Sequence, residues 1–174
     1  MKIVIASDIH GSSFYAKRLK KVVETEKPDK LVLLGDLLYH GARNGLPVEY
    51  DTQVVYGILN SMKEIIVAVR GNCDAEIDQT VLEFPIMADY RTIEVDGITW
   101  YLSHGHVNER LPEIGNKDIL FNGHFHEYDL SRNHINPGSI SIPKMNHEHT
   151  YIIYENRVFV LYDADGNKLQ QMEI

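Results

Sequence analysis

Seven side chains of types that bind metals follow closely after short apolar segments in this sequence. The five segments with their following residues read IVIA-SDIHG, LVLL-GDLL, IVAV-RGNCD, TWYL-SHGH and DILF-NGHFH. The candidate ligands in these stretches are Asp8, His10, Asp36, Asn72, His104, His124 and His126. Carboxylates, imidazoles and an amide oxygen are donors typical of a divalent-metal site.

The size of this ligand set favours two metal ions over one. Seven ligands are too many for one four-coordinate ion, whereas two ions can share a bridging carboxylate. Nitrogen and oxygen donors without a thiolate suit Mn²⁺, Fe²⁺, Co²⁺, Ni²⁺ or Zn²⁺. Each motif alone has an ordinary explanation, such as a Gly-Asn turn or a polar loop. Their recurrence after five apolar segments predicts a dinuclear centre.

The first half of the chain alternates between strand and helix signals. Short apolar strands are predicted at residues 2–6, 30–34 and 65–69, and helices at about 12–26 and 51–62. This alternation indicates a parallel sheet with right-handed crossovers. Ligands of such sheets bind beyond the carboxyl ends of the strands, where the candidate residues stand.

The second half of the chain carries hairpin signals instead. Asp96-Gly97 separates two strand-like segments, and turns at Asn156 and Gly166 separate three more near the C-terminus. Another short strand is predicted at residues 118–122. We therefore expect a mixed α/β fold with two sheets packed face to face and helices outside.

Composition limits the classes of function. The chain has 174 residues, 17 Lys+Arg against 25 Asp+Glu, a net charge of −8 and one cysteine. No basic block supports binding to duplex nucleic acid, and no apolar run approaches the ~18 residues of a membrane span. The N-terminus lacks a secretory signal, and a lone thiol suits a reducing compartment. We expect one cytoplasmic domain over residues 1–174 with no membrane partner, and exposed edge strands favour a homo-oligomer.

The motifs together resemble the calcineurin-like metallophosphoesterase superfamily. The resemblance rests on D-x-H, GD, GN-x-D, the histidine of SHGH and G-H-x-H, in this order from Asp8 to His126. NPGS follows at residues 136–139. The GNCD variant, the HGARNGLP loop, the stretch NPGSISIPK at residues 136–144 and the small size resemble the bacterial YfcE-type phosphodiesterases. Each motif is weak, but the ordered set is specific and covers most of the chain.

The resemblance implies a fold, a cofactor and a reaction. The fold is a two-sheet αββα sandwich with an open dimetal site at the strand ends and no capping domain. One ion is held by Asp8, His10 and His126, the other by Asn72, His104 and His124, and Asp36 bridges them. Members typically use Mn²⁺ and hydrolyse phosphodiesters through a hydroxide that the two ions activate.

Cys73 stands where many members of the superfamily carry the histidine assigned to the leaving group. A thiol is a weak hydrogen-bond donor, so Cys73 is a poor general acid. We interpret it as facing substrate, with buried filler as the alternative. Asp74 is predicted either to orient a ligating histidine or its metal-bound water, or to cap the next segment. Asn72 and His104 complete the predicted catalytic group.

Arg43 and His106 are further candidates for contacting the phosphate of a substrate. His40 lies in the same loop as Arg43 and is either a phosphate contact or a solvated side chain. His134, His147 and His149 are interpreted as structural or surface residues. The leading hypothesis is hydrolysis of small or exposed phosphodiesters, and a phosphomonoesterase is the nearest alternative. The alternative that is not an enzyme is a protein-binding scaffold, which is the role of the retromer subunit that resembles this fold.

Overall fold

Eleven β-strands, two α-helices and three single-turn 3₁₀ helices make up the regular structure of residues 1–145 and 148–174, which the computed structural model describes. His147, expected to be a structural or surface residue, lies outside the described residues. The helices are α1 (Ser13–Glu26) and α2 (Thr52–Asn60). The strands are β1 (Ile3–Ala6), β2 (Lys30–Leu33), β3 (Ile66–Ala68), β4 (Tyr90–Val95), β5 (Ile98–Ser103), β6 (Ile119–Phe121), β7 (Tyr128–Ser131), β8 (His134–Pro137), β9 (Thr150–Glu155), β10 (Val158–Asp163) and β11 (Lys168–Glu173).

The first sheet contains the predicted parallel strands and also the C-terminal meander. Its order is β11-β10-β9-β1-β2-β3, with β1, β2 and β3 parallel. The sequence suggested that the antiparallel meander belongs to a second sheet. Instead, β9 pairs antiparallel with the free edge of β1, with Ile3 opposite Tyr154. The strand that carries the first ligands is therefore central and buried on both faces.

The second sheet has the order β4-β5-β6-β8-β7. The hairpin at Asp96-Gly97 forms β4 and β5 as predicted, and β5, β6 and β8 run parallel to one another. The β7–β8 hairpin was not predicted. Its strands read YDLS and HINP, and their polar residues and proline give a weak strand signal.

Both helices begin at side-chain caps and pack on the outer face of the first sheet. The Ser12 side chain accepts from the Tyr15 N–H, and Asp51 accepts from the Val54 N–H. Leu19 and Leu59 are fully buried in the cluster between the helices and this sheet. No α-helix of the described residues follows the strands of the second sheet, because hairpins and loops connect them. None of the helices described is long and apolar enough to span a bilayer.

A second apolar cluster fills the space between the two sheets and fixes their separation. Trp100 of β5 is fully buried, with its ring centroid 4.6 Å from that of Phe121, 4.8 Å from that of Tyr154 and 5.4 Å from that of Phe159. These rings come from both sheets. The face-to-face packing predicted from the sequence is confirmed.

Replacing Trp100→Ala should lower the free energy of unfolding by about 3–5 kcal/mol, because the cavity removes contacts with both sheets. Urea unfolding followed by circular dichroism measures the change. Tyr101→Ala is the matched control, since Tyr101 is half-buried on the opposite face of β5. This variant should lower the free energy of unfolding by only about 1 kcal/mol. Equal losses in the two variants would show that Trp100 does not hold the sheets together.

Candidate metal centre

The seven predicted ligands converge on one end of the two sheets. Asp8 and His10 follow β1, Asp36 follows β2, and Asn72 follows β3. The second sheet supplies the other three, because His104 follows β5 and the pair His124 and His126 follows β6. Both sheets are therefore needed to assemble the set. Most of it is buried, with 0% exposure for Asp8, His10 and His104, 2% for Asp36 and 5% for His126.

Asp8, His10 and His126 form one compact group. The Nε2 atom of His126 lies 3.1 Å from Oδ1 of Asp8, and the Nε2 atom of His10 lies 3.5 Å from the same oxygen. The two Nε2 atoms are 3.3 Å apart. Donors that share one ion at ~2.0–2.2 Å are separated by about 3–3.5 Å, so this spacing fits a common ion.

Asp36, His104 and Asn72 form a second group beside the first. The Nε2 atom of His104 lies 3.4 Å from Oδ2 of Asp36 and 3.1 Å from Oδ1 of Asn72. The ring of His124 packs edge-on to His104, with 5.1 Å between centroids. Oδ2 of Asp36 is also 3.6 Å from the Nε2 atom of His10. Asp36 therefore stands between the two groups, as a bridging ligand must.

Backbone carbonyls fix the orientation of three histidines. The Nδ1 atoms of His10, His104 and His126 lie 2.7, 2.6 and 2.7 Å from the carbonyl oxygens of Tyr39, Leu34 and Ile142, respectively. A carbonyl only accepts, so each Nδ1 carries the proton and donates it. Each Nε2 then turns toward the centre. Histidines that bind metals through Nε2 commonly donate Nδ1–H in this way.

Five of the candidate ligands have left-handed backbone conformations. Asp8, His10, Asp36, His124 and His126 have φ values of 58°, 48°, 54°, 68° and 61°. Such angles are uncommon outside glycine and tend to collect at functional sites. Half of the ten described non-glycine residues with positive φ are thus candidate ligands. The strained turns aim these side chains inward from the strand ends.

Two glycines permit the close approach of the ligand loops. A Cβ atom on Gly71 would lie 2.0 Å from Oδ1 and 2.3 Å from the backbone nitrogen of Asp36. A Cβ atom on Gly123 would lie 1.9 Å from Oγ of Ser7 and 2.8 Å from Oδ2 of Asp8. Any larger residue at either position would displace the neighbouring carboxylate. The glycines of the GN and GH motifs thus set the spacing of the site.

The donor atoms face each other without partners of their own. Oδ1 of Asp8 is buried and forms no hydrogen bond with the described residues, although two histidine nitrogens lie close to it. With Nδ1 protonated, the lone pairs of these Nε2 atoms point at a carboxylate oxygen. A cation between them converts this repulsion into coordination. The residues therefore fit a divalent metal.

Electrostatics at the centre couple the carboxylates to the histidines. Burial alone would raise the pKa of Asp8, but the surrounding histidines hold the pKa well below its usual range. Burial alone would lower the pKa of His104, but Asp8 and Asp36 outweigh it and raise the pKa to about 9. In metal-free protein, a proton on His104 would supply part of the positive charge that the two carboxylates require.

Asp74 contributes through the backbone of the ligand loops. Its carboxylate accepts from the N–H groups of Asp36 at 2.9 Å, Leu37 at 2.8 Å and Gly71 at 2.7 Å. It therefore ties the loop after β2 to the loop after β3, and does not reach a histidine. Burial, followed by the charge of Asp36, raises the pKa of Asp74 to about 6.

Cys73 lies half-buried beside the second group. Its N–H donates to Oδ1 of Asp36 at 2.8 Å, and its Sγ is 3.2 Å from Nδ2 of Asn72. Burial and the nearby Asp36 charge raise the pKa of the thiol. Sγ is also within 4.8 Å of donor atoms of His10 and Asp36, so it can approach an ion bound there.

The other predicted substrate contacts lie at the edge of the centre. The ring centroid of His106 is 5.4 Å from that of His104, and burial lowers the pKa of His106. Arg43 lines an open cleft of about 790 Å³ above the ligands. The described residues that line the cleft are Asp36, Tyr39, Gly41, Ala42, Arg43, Asn44, Arg70, Asn72, Cys73, Asp74, Ala75, His124, His126 and Lys144.

Sequence reasoning missed several residues around the centre. Tyr39, Arg70 and Lys144 line the cleft. Arg70 directly precedes the GNCD motif, a signal that was available. Lys144 ends the NPGSISIPK stretch, but its place at the cleft was not predicted, since it depends on the contact of its N–H with the carbonyl of His126. Ser139 and Ser141 lie in the same quoted stretch, but only the fold shows that both side chains donate to the Asp8 carbonyl.

The family model of the calcineurin-like phosphoesterase superfamily domain matches residues 1–157. The chain belongs to this superfamily. It is 40% identical over 164 residues to the phosphodiesterase YfcE of Escherichia coli strain K12, covering 91% of this chain and 89% of that protein. The solved structure of YfcE, a phosphoesterase from E. coli, matches with a TM-score of 0.93 and 38% identity over 100% of both chains.

A more distant likeness extends to the Vps29 protein of Cryptosporidium parvum, with a TM-score of 0.66 and 16% identity over 99% of this chain and 98% of that one. At this identity the likeness concerns the fold alone. Superfamily membership makes the chain a metal-dependent phosphoesterase, a hydrolase of phosphate esters. The resemblance predicted from the motifs is confirmed.

The metal-free protein should lose stability as the pH rises from 6.5 to about 9. The pKa of His104 is raised from its ordinary value of 6.5, so the folded state binds the extra proton in this window. The contribution of protonated His104 to the free energy of unfolding is fully present below pH 6.5 and is lost above about pH 9. Chemical denaturation in the presence of a chelator, at several pH values, measures this loss.

His104→Gln is the matched variant for this experiment, because it keeps a polar side chain without the titration. Its free energy of unfolding should change less over the same range of pH. An identical pH dependence in the two proteins would assign the proton to another group.

Proposed function

We propose that the chain is a phosphodiesterase whose site binds two divalent metal ions. The observation that carries the proposal is the pair of linked ligand groups. Asp8, His10 and His126 would hold one ion, and Asn72, His104 and His124 the other. Asp36 would bridge the two, since one of its oxygens lies within 3.6 Å of histidine nitrogens from both groups.

Mn²⁺ is the proposed metal, with Ni²⁺, Co²⁺, Fe²⁺ and Zn²⁺ as alternatives that the same donors accept. Bound ions would polarise the phosphoryl oxygens and lower the pKa of water, so that water attacks phosphorus near neutral pH. The protein's own part is to present deprotonated Nε2 atoms, which the Nδ1 hydrogen bonds of three histidines secure. Asp74 holds two ligand loops in register.

The open cleft favours a diester over a monoester. A volume of about 790 Å³ leaves room for two ester substituents on one phosphorus atom. In line with this, the E. coli relative at 40% identity is named a phosphodiesterase. Among the described residues the cleft is open to the surface, which suits small or exposed substrates. Duplex nucleic acid is not proposed as a substrate.

The scaffold alternative receives less support from the site. A surface that only binds proteins does not require oriented imidazoles, or a buried carboxylate oxygen that lacks a hydrogen-bond partner among the described residues, as Oδ1 of Asp8 does. Here the Nε2 atoms of His10 and His126 converge on Oδ1 of Asp8 within 3.5 Å. Unpaired buried charge is costly, so such a group is best explained by a bound cation.

The direct test is hydrolysis of bis-(p-nitrophenyl) phosphate beside p-nitrophenyl phosphate. Protein stripped of metal should be inactive and should recover diester hydrolysis as Mn²⁺ is titrated back. Asp36→Asn and His124→Ala should reduce kcat/KM by at least ~100-fold, because each removes a ligand. His134→Ala is the matched control, since His134 lies on β8 and contacts Asp129 and Asn122 instead.

The outcomes separate the proposals. A preference for the monoester would keep the metal site and replace the reaction by phosphomonoester hydrolysis. A folded protein that binds metal but hydrolyses neither ester would favour the scaffold. Unchanged activity in the Asp36 and His124 variants would remove these residues from the site.

Cys73→His should alter the preference for the leaving group. A thiol donates weakly, so the native protein should favour good leaving groups such as nitrophenolates. An imidazole at the same position can donate a proton, and poorer leaving groups should gain relative to nitrophenolates by about tenfold or more. kcat/KM measured across aryl and alkyl diesters checks this. Parallel dependences in the two proteins would exclude a role for position 73 in leaving-group departure.

A further inference from the structure

Three cationic side chains line the cleft, and each comes from a different segment. Arg43 lies in the loop between β2 and α2, Arg70 directly precedes the loop that holds Asn72, and Lys144 lies beyond β8. We refer to Arg43, Arg70 and Lys144 as the cationic rim. In a chain of net charge −8, three cations around one cleft are a local reversal of sign.

Few acidic side chains of the protein neutralise the positive charges of the cationic rim. Among the described residues, Arg43 and Lys144 take part in no salt bridge. Arg70 has one, a loose pair with Glu76 at 3.9 Å, and the Glu76 side chain is 84% exposed. Such exposed pairs contribute little and are readily exchanged for another anion.

The acidic side chains of the cleft are already committed elsewhere. Asp74 accepts from three backbone N–H groups, and Asp36 accepts from the Cys73 N–H and faces His104 and His10. Both carboxylates are buried beneath the cleft. The Nε atom of Arg70 donates to the Asp74 carbonyl at 3.4 Å, and its terminal nitrogens, like the side chains of Arg43 and Lys144, remain available to a ligand in the cleft.

A simple phosphodiester does not account for this much positive charge. It carries one negative charge, and the proposed pair of divalent ions already exceeds the charge of the two ligating carboxylates. Three additional cations match a substrate with further negative charge. Arginine forks suit phosphate oxygens, and the cleft is large enough for more than one phosphate.

We propose that the cationic rim binds a second phosphate group. The preferred substrates are then phosphodiesters that carry an additional phosphate on the ester substituent that does not leave. This inference rests on the proposed phosphodiesterase function and names its substrate class. The metal-binding residues would act on the scissile diester, while Arg43, Arg70 and Lys144 would bind the second group. Specificity would then come from the rim and catalysis from the centre beneath it.

The test compares two substrates that differ only in the second phosphate. They are the p-nitrophenyl ester of thymidine 5′-phosphate and the same ester with a 3′-phosphate. The Mn²⁺-loaded protein should show kcat/KM on the order of tenfold higher for the 3′-phosphorylated ester at low ionic strength, and salt should reduce this ratio. The ratio should approach one in the triple variant Arg43→Gln, Arg70→Gln, Lys144→Gln.

A binding measurement supplies a readout that does not depend on turnover. Calorimetry should show tighter binding of thymidine 3′,5′-bisphosphate than of thymidine 5′-phosphate to the native protein, and a smaller difference for the triple variant. Lys168→Gln is the matched control, because Lys168 lies on the edge strand β11 and is exposed. Both the kinetic ratio and the difference in affinity should survive in this control.

The possible failures are distinguishable. Hydrolysis of both esters at equal kcat/KM, with equal affinity for the two nucleotides, would overturn the second-phosphate site and leave the phosphodiesterase intact. Absence of hydrolysis with every divalent metal would overturn the proposed function itself. A ratio that persists in the triple variant would also overturn the assignment, because the second phosphate would then be bound elsewhere.

Discussion

The structure depends on one electrostatic constraint, the burial of Asp8 among imidazoles at the end of a central strand. A carboxylate removed from water needs compensating charge or hydrogen bonds, and one oxygen of Asp8 has no hydrogen bond in the described chain. His10 and His126 approach this oxygen, but their own protons are directed toward backbone carbonyls. Only a cation, or a proton held between them, satisfies Asp8, His10 and His126 together. Metal binding at this point therefore also stabilises the fold around it.

The two-sheet architecture follows from this requirement. β1 and β2 bring Asp8 and Asp36 together from the first sheet, whereas His104 and His126 can reach them only from the second. The aromatic cluster around Trp100 sets the distance between the sheets, and therefore the distance between carboxylates and imidazoles. Core packing far from the cleft thus controls the geometry of the ligands, because rigid interiors transmit small displacements.

The sequence was most informative where a predicted strand is followed directly by side chains that can bind a metal. Apolar strands followed at once by Asp, Asn or His predicted the ligand set, since strand ends in parallel sheets meet at one edge. The placement of the C-terminal meander beside β1 was not predictable, because pairing between distant strands leaves no local signal. The contacts of Lys144 and Ser139 with the ligand loops were not predictable for the same reason, although the motif that contains Ser139 was recognised. Asp74 was recognised as important, but its three backbone partners depend on how two loops meet.

Specificity and catalysis occupy different parts of the molecule. The ligands stand on strand ends, fixed by carbonyls, glycines and strained turns, and have little freedom to vary. The cleft above them is formed by the loop that carries Arg43 and by Arg70 and Lys144, which are constrained less by the core. Cys73 lies between these regions, since its N–H donates to Asp36 and the residue also lines the cleft. Substitution there can change how a leaving group departs without moving the ligands, so position 73 links the chemistry of the metal centre to the choice of substrate.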